Sequence, residues 1–313
     1  MMYVLSPVKL NPFYSSVEKL CFEAGLPYCS SVFSKKMYGN IVLAFLVVYK
    51  ERLNVSYRRL VEIAKENHLE RSLGVKRIPH FTTLQKFVQR VKKNVLLKLL
   101  KACRTLLSLK DIESCIDGTG FSNTNPSHYY QKRVDGVKVK NYTKAVIITD
   151  NKSKLILNIE THSDHSHETK DFIPLVRELK NDLKCILADK AYDSMENRNY
   201  CWKNDIDVHI PFREWKQFRK NYGHVPHFKK PQRLAIEKFD PEKYRYRVII
   251  ESVNSAIKRT LGGWVCSRKP ENQQKQVILK AIAYNIEKIG RTIKLTILSL
   301  KTTFLQSLYF KKN

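Results

Sequence analysis

The sequence lacks several features that mark common protein classes. Its seven cysteines are an odd number and include no Cys-x-x-Cys pair, which argues against a disulfide framework and a cysteine-rich zinc site. No stretch reaches the roughly 18 consecutive apolar residues needed to cross a bilayer, and the N-terminus lacks the layout of a secretory signal. There is no P-loop, so nucleotide hydrolysis is not expected. These absences favour a cytoplasmic protein without a membrane partner.

Acidic residues are also scarce. The chain has 29 Asp and Glu against 57 Lys and Arg, a formal charge of +28 that is spread along its length. A field of this strength opposes compact folding unless a polyanion is close by, and the usual polyanion is nucleic acid. A basic surface that contacts a ribosome or a membrane is the alternative.

The length of 313 residues is enough for two domains that each bury a core. Residues 1–107 show helical periodicity and are predicted to be all helical. Ser56 is predicted to cap a helix that ends near Lys65, and Thr82 with Gln85 to form a capping box for a second helix.

The second of these helices is basic. It carries Lys86 and Arg90, and Lys92 and Lys93 follow closely. A helix pair with a basic second member indicates a helix-turn-helix-like contact with DNA. Small helical bundles often have basic faces, so DNA contact is a stronger expectation than direct reading of bases. We therefore expect residues 1–107 to be a DNA-binding region.

From residue 108 to 313 the pattern changes to an α/β one. Strand-like segments alternate with a helix and are followed by C-terminal helices, which predicts a mixed sheet flanked by helices. In such sheets, acidic groups at strand ends converge on one crevice. The predicted strands are 114–117, 145–149, 154–159 and 185–188, and the predicted helix between the last two is 168–179.

Two aspartates follow predicted strands. Asp117 ends the first strand, where Gly118 and Gly120 let the backbone turn sharply, and Asp189 ends the last. If the two strands are neighbours, both carboxylates lie at one edge of the sheet. Taken alone, an aspartate in such a position is more often a turn residue than a catalytic one.

A third carboxylate lies on a predicted helix over residues 244–258. Its polar side chains fall within about 60° of one another and form a stripe about 20 Å long. A glutamate beside basic residues is commonly an intrahelical ion pair. The stripe contains Tyr244, Arg247, Glu251 and Lys258, and the predicted apolar face contains Val248, Ile249, Val253 and Ile257.

Convergence of Asp117, Asp189 and Glu251 would require a cation. Three carboxylates repel one another unless a hard divalent ion neutralises them, and Mg²⁺ or Mn²⁺ prefers such oxygen ligands. Two such ions about 4 Å apart can activate a water or a 3′-hydroxyl for attack on a phosphodiester. Arg247 and Lys258 would then bind flanking phosphates, with Tyr244 hydrogen-bonding one of them.

Three motifs occur in this order: IDGTGF, LADKAYDS and Tyr-x2-Arg-x3-Glu-x6-Lys. Together they resemble the DDE transposases of insertion-sequence families four and five, over about residues 110–290. The last motif matches the YREK signature of those families at Tyr244, Arg247, Glu251 and Lys258.

The resemblance implies an RNase H-like catalytic core and Mg²⁺-dependent cleavage of double-stranded DNA at transposon ends, followed by strand transfer into target DNA. It also implies a homodimer or larger assembly, because two ends must be brought together. Asp117, Asp189 and Glu251 would be the metal ligands. Two rival hypotheses are a nuclease that does not join DNA and an inactive DNA-binding remnant.

Other polar clusters gave weaker signals. His162, His165 and His167 match no zinc pattern, whereas Asp164 and Glu168 could support the catalytic edge. The basic segment 212–230 is predicted to be an exposed insertion. Its His224 and His227, near Trp215 and Phe218, could stack on an unpaired base or simply lie in a solvated loop.

Overall fold

The computed structural model describes residues 12–29, 37–123, 142–163, 168–212 and 230–310. The chain divides into two compact units, of which the second is Arg104–Ala281. The first unit takes residues from both ends of the chain, Met1–Cys103 and Ile282–Asn313. The sequence predicted a single boundary near residue 107, and the separate roles expected of the two parts remain a prediction.

The described part of the first unit is helical. Ser56 caps α3 as predicted, because its side chain accepts a hydrogen bond from the Arg59 amide. The predicted capping box at Thr82 was wrong: the cap is two residues earlier, at His80, whose side chain accepts a hydrogen bond from the Thr82 amide, and α5 begins at Phe81. The helices are α1 (Pro12–Glu23), α2 (Asn40–Leu53), α3 (Tyr57–Glu66), α4 (Leu69–Ser72), α5 (Phe81–Arg90) and α6 (Lys93–Leu106).

The second unit is built on a five-stranded mixed sheet of order β3-β2-β1-β4-β5. β2 runs antiparallel to both of its neighbours, β1 and β3, and β4 and β5 continue the sheet parallel to β1. This is the RNase H-like arrangement, which confirms the predicted fold class. The strands are β1 (Ile112–Ser122), β2 (Tyr142–Asp150), β3 (Ile156–His162), β4 (Leu183–Ala188) and β5 (Asp207–His209).

Helices pack against the sheet. Both faces of the sheet are packed. Successive residues of β1 point to opposite faces, and Ile116 belongs to one apolar cluster while its neighbour Cys115 belongs to another. Phe172 and Val176 pack in the cluster of Ile116. The helices are α7 (Thr169–Arg177), α8 (Met195–Lys203), α9 (Lys230–Glu237), α10 (Pro241–Tyr244), α11 (Val248–Leu261) and α12 (Pro270–Phe310).

The predicted helix 244–258 is not continuous. Tyr244 ends α10, a 3₁₀ turn covers Arg245–Arg247, and α11 begins at Val248. The predicted apolar face was partly wrong, because Val248 is 62% exposed. The buried face of α11 consists of Ile250, Val253, Asn254, Ile257 and Leu261.

Ile250 fixes α11 on the sheet. It is fully buried in a cluster with Cys115 of β1 and with Cys185 and Leu187 of β4. These three strand residues share one face of the sheet, because their neighbours Ile116 and Ile186 pack in the other cluster. Burial of an aliphatic side chain of this size stabilises the contact by about 2 kcal/mol. Glu251, the residue after Ile250, is therefore carried by a helix that packs on strands β1 and β4.

The final helix, α12, runs without a break for 41 residues, about 60 Å at 1.5 Å per residue. Within the part of the chain that the structure describes, no helix has the length and apolar character needed to cross a membrane.

Candidate active site

Asp117 lies within β1 rather than at its end. The prediction that Gly118 and Gly120 turn the chain was wrong, because β1 continues to Ser122 and stays paired with β2. The parallel ladder between β1 and β4, however, ends at the pair Ile116–Ala188. Asp117 is therefore the first residue of β1 beyond its pairing with β4.

Asp189 is the corresponding residue after β4. Because Ile116 and Ala188 are partners in a parallel ladder, the next residues, Asp117 and Asp189, emerge at the same edge. Asp189 caps the 3₁₀ turn Lys190–Tyr192, and its Oδ1 accepts a hydrogen bond of 2.6 Å from the Lys190 amide. The structure thus brings together the two aspartates singled out from the sequence.

Arg247 links Glu251 to this pair. Its Nη2 lies 2.5 Å from Glu251 Oε1, one turn further along. Burial alone would lower the pKa of Arg247, but Tyr244 and the carboxylates of Glu251, Asp117 and Asp189 raise it. Glu251 is half exposed. In this arrangement the guanidinium compensates negative charge from all three carboxylates.

The environment of Asp117 disfavours its charge. Burial raises its pKa to about 6, and the nearby carboxylates of Glu168 and Asp189 add to the increase. The Gly118 amide, which donates to Asp117 Oδ1 at 2.9 Å, and the Arg247 guanidinium act in the opposite direction. A divalent cation would offset the same electrostatic cost.

Lys258 and Tyr244 also belong to this edge. Lys258 is half-buried, and burial lowers its pKa while Asp117 raises it. Its Nζ lies 5.9 Å from the centre of the Phe121 ring. Burial raises the pKa of Tyr244, whose ring packs 5.4 Å from that of Phe239. Both side chains interact electrostatically with Asp117. Tyr244, Arg247 and Lys258 of the predicted stripe therefore lie near the aspartates, and Glu251 is connected to them through Arg247.

Glu168 is a further carboxylate at this edge. It precedes α7, and its Oε1 lies 3.2 Å from Lys144 Nζ on β2. Its Oε2 accepts a hydrogen bond of 3.1 Å from the Tyr192 hydroxyl. The sequence indicated Glu168 only as one of two supporting groups, and the other, Asp164, is outside the described residues.

The carboxylates at this edge are chemically suitable ligands for a hard cation, because all their donor atoms are oxygens. Asp117, Asp189 and Glu251 are the residues that could hold it. Their ligand atoms are not gathered into a tight group, however. Among the described residues, the one set with three such atoms within 4.8 Å of one another is Cys185, Asp207 and His209.

That second set is close enough to hold a cation, but its donors are already engaged. His209 Nδ1 accepts from the Asp240 amide at 3.1 Å, so the proton of the neutral ring is on Nε2, 2.9 Å from Asp207 Oδ2. Lys243 Nζ lies 2.7 Å from the same Asp207 oxygen. Burial raises the pKa of the Cys185 thiol to about 12. We interpret Asp207, His209, Asp240 and Lys243 as a structural latch between β5 and α10.

Lys86 and Arg90 lie on α5 in the first unit, and both are exposed. The same unit contains a cavity of about 660 Å³ whose lining includes Lys65, Lys76 and Arg77. Basic side chains thus line part of this cavity, which also includes Glu70, and others are exposed on α5. His165, His167 and the predicted stacking residues Trp215, Phe218, His224 and His227 are outside the described residues.

The second unit thus has an RNase H-like sheet with two aspartates at the end of its central parallel ladder. The chain belongs to the family described as "Transposase DDE domain", whose sequence model matches residues 108–286.

Comparison with solved structures gives distant similarities. The chain is similar to a piggyBac transposase synaptic complex with hairpin DNA, at 12% identity and a TM-score of 0.44, covering 89% of this chain and 71% of the other. It is also similar to a Mos1 transposase paired-end complex with a left transposon end, at 13% identity and a TM-score of 0.25, covering 74% and 80%. No curated protein matches the sequence. The family assignment does not depend on these structures.

Proposed function

We propose that this protein is a DNA transposase that cleaves the 3′ ends of a transposon and joins them to target DNA. The observation that carries the proposal is the placement of Asp117 and Asp189 one step beyond the last β1–β4 pair, with Arg247 joining them to Glu251. Membership of the transposase family supports it.

In this proposal Asp117, Asp189 and Glu251 hold Mg²⁺ or Mn²⁺. A cation bound there would activate a water or a 3′-hydroxyl and stabilise the leaving oxygen of a phosphodiester. Glu251 would have to exchange its ion pair with Arg247 for the cation, which its exposure permits. Arg247 would then be free to bind a phosphate, together with Lys258 and Tyr244.

We further propose that the first unit binds double-stranded DNA, including the terminal inverted repeats, with Lys86 and Arg90 of α5 as phosphate contacts. The chain would act as a homodimer or larger assembly, in the cytoplasm and in association with the nucleoid. The match of Tyr244, Arg247, Glu251 and Lys258 to the YREK signature supports a place in insertion-sequence families four and five. The net charge of +28 supports a polyanionic partner.

The experiment is an Mg²⁺-dependent assay on DNA that carries the sequences flanking the gene, scored for 3′-end cleavage and for joining to a plasmid. We expect Asp189→Asn to abolish both, while DNA affinity stays equal or rises because a negative charge is removed. Asp111→Asn is the matched control. It removes the same charge from an exposed position before β1, where φ is 50° and Asn is well tolerated.

Each outcome leads to a different conclusion. Cleavage and joining that are lost in Asp189→Asn but retained in Asp111→Asn would establish a transposase that uses this site. Cleavage without joining would indicate a nuclease. An Asp189→Asn variant that still cuts would show that the site is assigned wrongly, and DNA binding without cleavage under any metal would indicate a DNA-binding remnant.

A further inference from the structure

Glu168 is held beside Asp117 by two residues that are distant from it in sequence. Lys144 on β2 is 8% exposed, and its Nζ lies 3.2 Å from Glu168 Oε1. Tyr192, in the turn that follows Asp189, is fully buried and donates its hydroxyl to Oε2 at 3.1 Å. Each carboxylate oxygen therefore has its own fixed partner. These two contacts fix the position of the Glu168 negative charge next to Asp117.

Gly118 makes room for this carboxylate. A Cβ at position 118 would overlap both the Oε1 and the Oε2 of Glu168, so no other residue fits there while Glu168 keeps its position. Gly118 is also the residue whose amide donates to Asp117 Oδ1. The Glu168 carboxylate thus packs on the peptide that orients Asp117.

We propose that Glu168 is a positioning residue that increases the affinity of the Asp117 site for a divalent cation, by fixing a fourth negative charge next to it. The inference rests on the proposed function, because it assumes that Asp117 and Asp189 hold the cation. Glu168 need not bind the cation itself. Carboxylates that lie behind metal ligands commonly change metal affinity by about 10- to 100-fold.

A purely structural role is the competing explanation. Lys144 is buried, and burial of its positive charge costs free energy, so Glu168 could serve only to compensate that charge. The two explanations differ in what they predict for cation binding. Neutralising Lys144 affects stability, whereas positioning of the site affects the affinity for Mn²⁺ in a protein that is still folded.

The experiment titrates Mn²⁺ alone into the full-length protein and follows the signal of free Mn²⁺ by electron paramagnetic resonance. We expect Glu168→Gln to raise the Kd for Mn²⁺ about tenfold. Glu178→Gln is the matched control, since Glu168 and Glu178 flank opposite ends of helix α7, roughly 15 Å apart. Its Oε2 accepts a hydrogen bond from Asn158 that a glutamine also accepts. The control should bind Mn²⁺ as the unmodified protein does.

Two further variants keep the test decisive. Glu168→Asp restores the charge and should recover part of the affinity. Tyr192→Phe keeps the charge but removes one of the groups that fix it, so it should weaken Mn²⁺ binding less than Glu168→Gln. If Glu168→Gln does not fold, Tyr192→Phe decides: an unchanged Kd in that variant overturns the proposal.

Failure of this proposal is distinguishable from failure of the proposed function. Unchanged Mn²⁺ binding in Glu168→Gln, with binding lost in Asp189→Asn, would leave the metal site in place and reduce Glu168 to a partner of Lys144. If the unmodified protein bound no Mn²⁺, both proposals would be overturned.

Discussion

Lys258 packs against other residues of the protein and is also a proposed contact for DNA phosphate. Its stem packs near Gly263 and its ammonium lies close to the Phe121 ring. Burial disfavours its charge, and Asp117 provides only part of the compensation. A phosphate nearby would supply the remaining negative charge. In the proposed function, this side chain would contact DNA close to the carboxylates.

At this scale we predict that Lys258→Ala weakens DNA binding and reduces the slope of log affinity against log salt by about one, the value expected for one lost phosphate contact. The measurement is a salt titration of binding to a transposon-end duplex. Lys152→Ala is the control, because Lys152 is exposed in the turn between β2 and β3. An unchanged slope in Lys258→Ala would place Lys258 away from the phosphates.

The sequence singled out Asp117, Asp189 and Arg247, which the structure brings near one another, because their motifs contain the residue types that metal-dependent chemistry needs; their role in that chemistry remains a prediction. For Glu168 the sequence indicated a supporting role but not the residues that hold it. The partners of Glu168 are Lys144 and Tyr192, which are distant from it in sequence, and only the folded structure shows that both side chains contact it. Gly118 was explained by a turn, whereas in the structure it accommodates a carboxylate.

Among the elements, α10 and α11 depend on a connection that the sequence did not reveal. The latch of Asp207, His209, Asp240 and Lys243 joins β5 to the start of the segment that carries Tyr244 and Arg247. Burial raises the pKa of Asp207, but hydrogen bonds from Lys243 and His209 outweigh it and hold the pKa below its ordinary value. The latch is therefore stabilising while Asp207 is ionised.

We predict that Lys243→Met lowers stability at pH 7 by no more than about 1 kcal/mol, because the pair is partly exposed. An aspartate with a lowered pKa in the folded state stabilises the fold above its unfolded pKa, and that stabilisation is lost as pH falls through the folded value. The amount by which Lys243→Met lowers Tm relative to the unmodified protein should thus decrease below about pH 4. Lys243→Arg should behave as the unmodified protein, and a difference independent of pH would contradict the role of Asp207.

Element prediction succeeded where the patterns were long. The strands around residues 114–117 and 145–149 were correctly identified as parts of β1 and β2, although both extend further. β5 was missed because it has only three residues, too few to show alternation. The break before Val248 was missed because a 3₁₀ turn and an α-helix have similar sequence periodicity.

At the scale of the whole molecule, the cysteines are distributed over both units, so their reactivity can test the packing of each. All seven are free, and burial raises the pKa of five of them to about 12. Cys29 is partly exposed and Cys266 is exposed. Thiolates are the reactive form, so the five buried thiols are protected by both burial and protonation. They are Cys21, Cys103, Cys115, Cys185 and Cys201.

We predict that iodoacetamide at pH 8 modifies Cys29 and Cys266 in the native protein and all seven cysteines after unfolding in guanidinium. Peptide mass spectrometry identifies the sites. Fast modification of Cys21 or Cys103 would contradict the packing of the first unit. Fast modification of Cys115, Cys185 or Cys201 would contradict that of the second.

The division of the chain also sets an order of events during synthesis. In the sequence, the residues of the second unit, Arg104–Ala281, come after the first segment of the first unit and before its last segment. On the ribosome its residues are therefore complete before the last segment of the first unit has been made. A message truncated after Ala281 would yield all residues of the second unit joined to an incomplete first unit, so premature termination would affect the two units unequally.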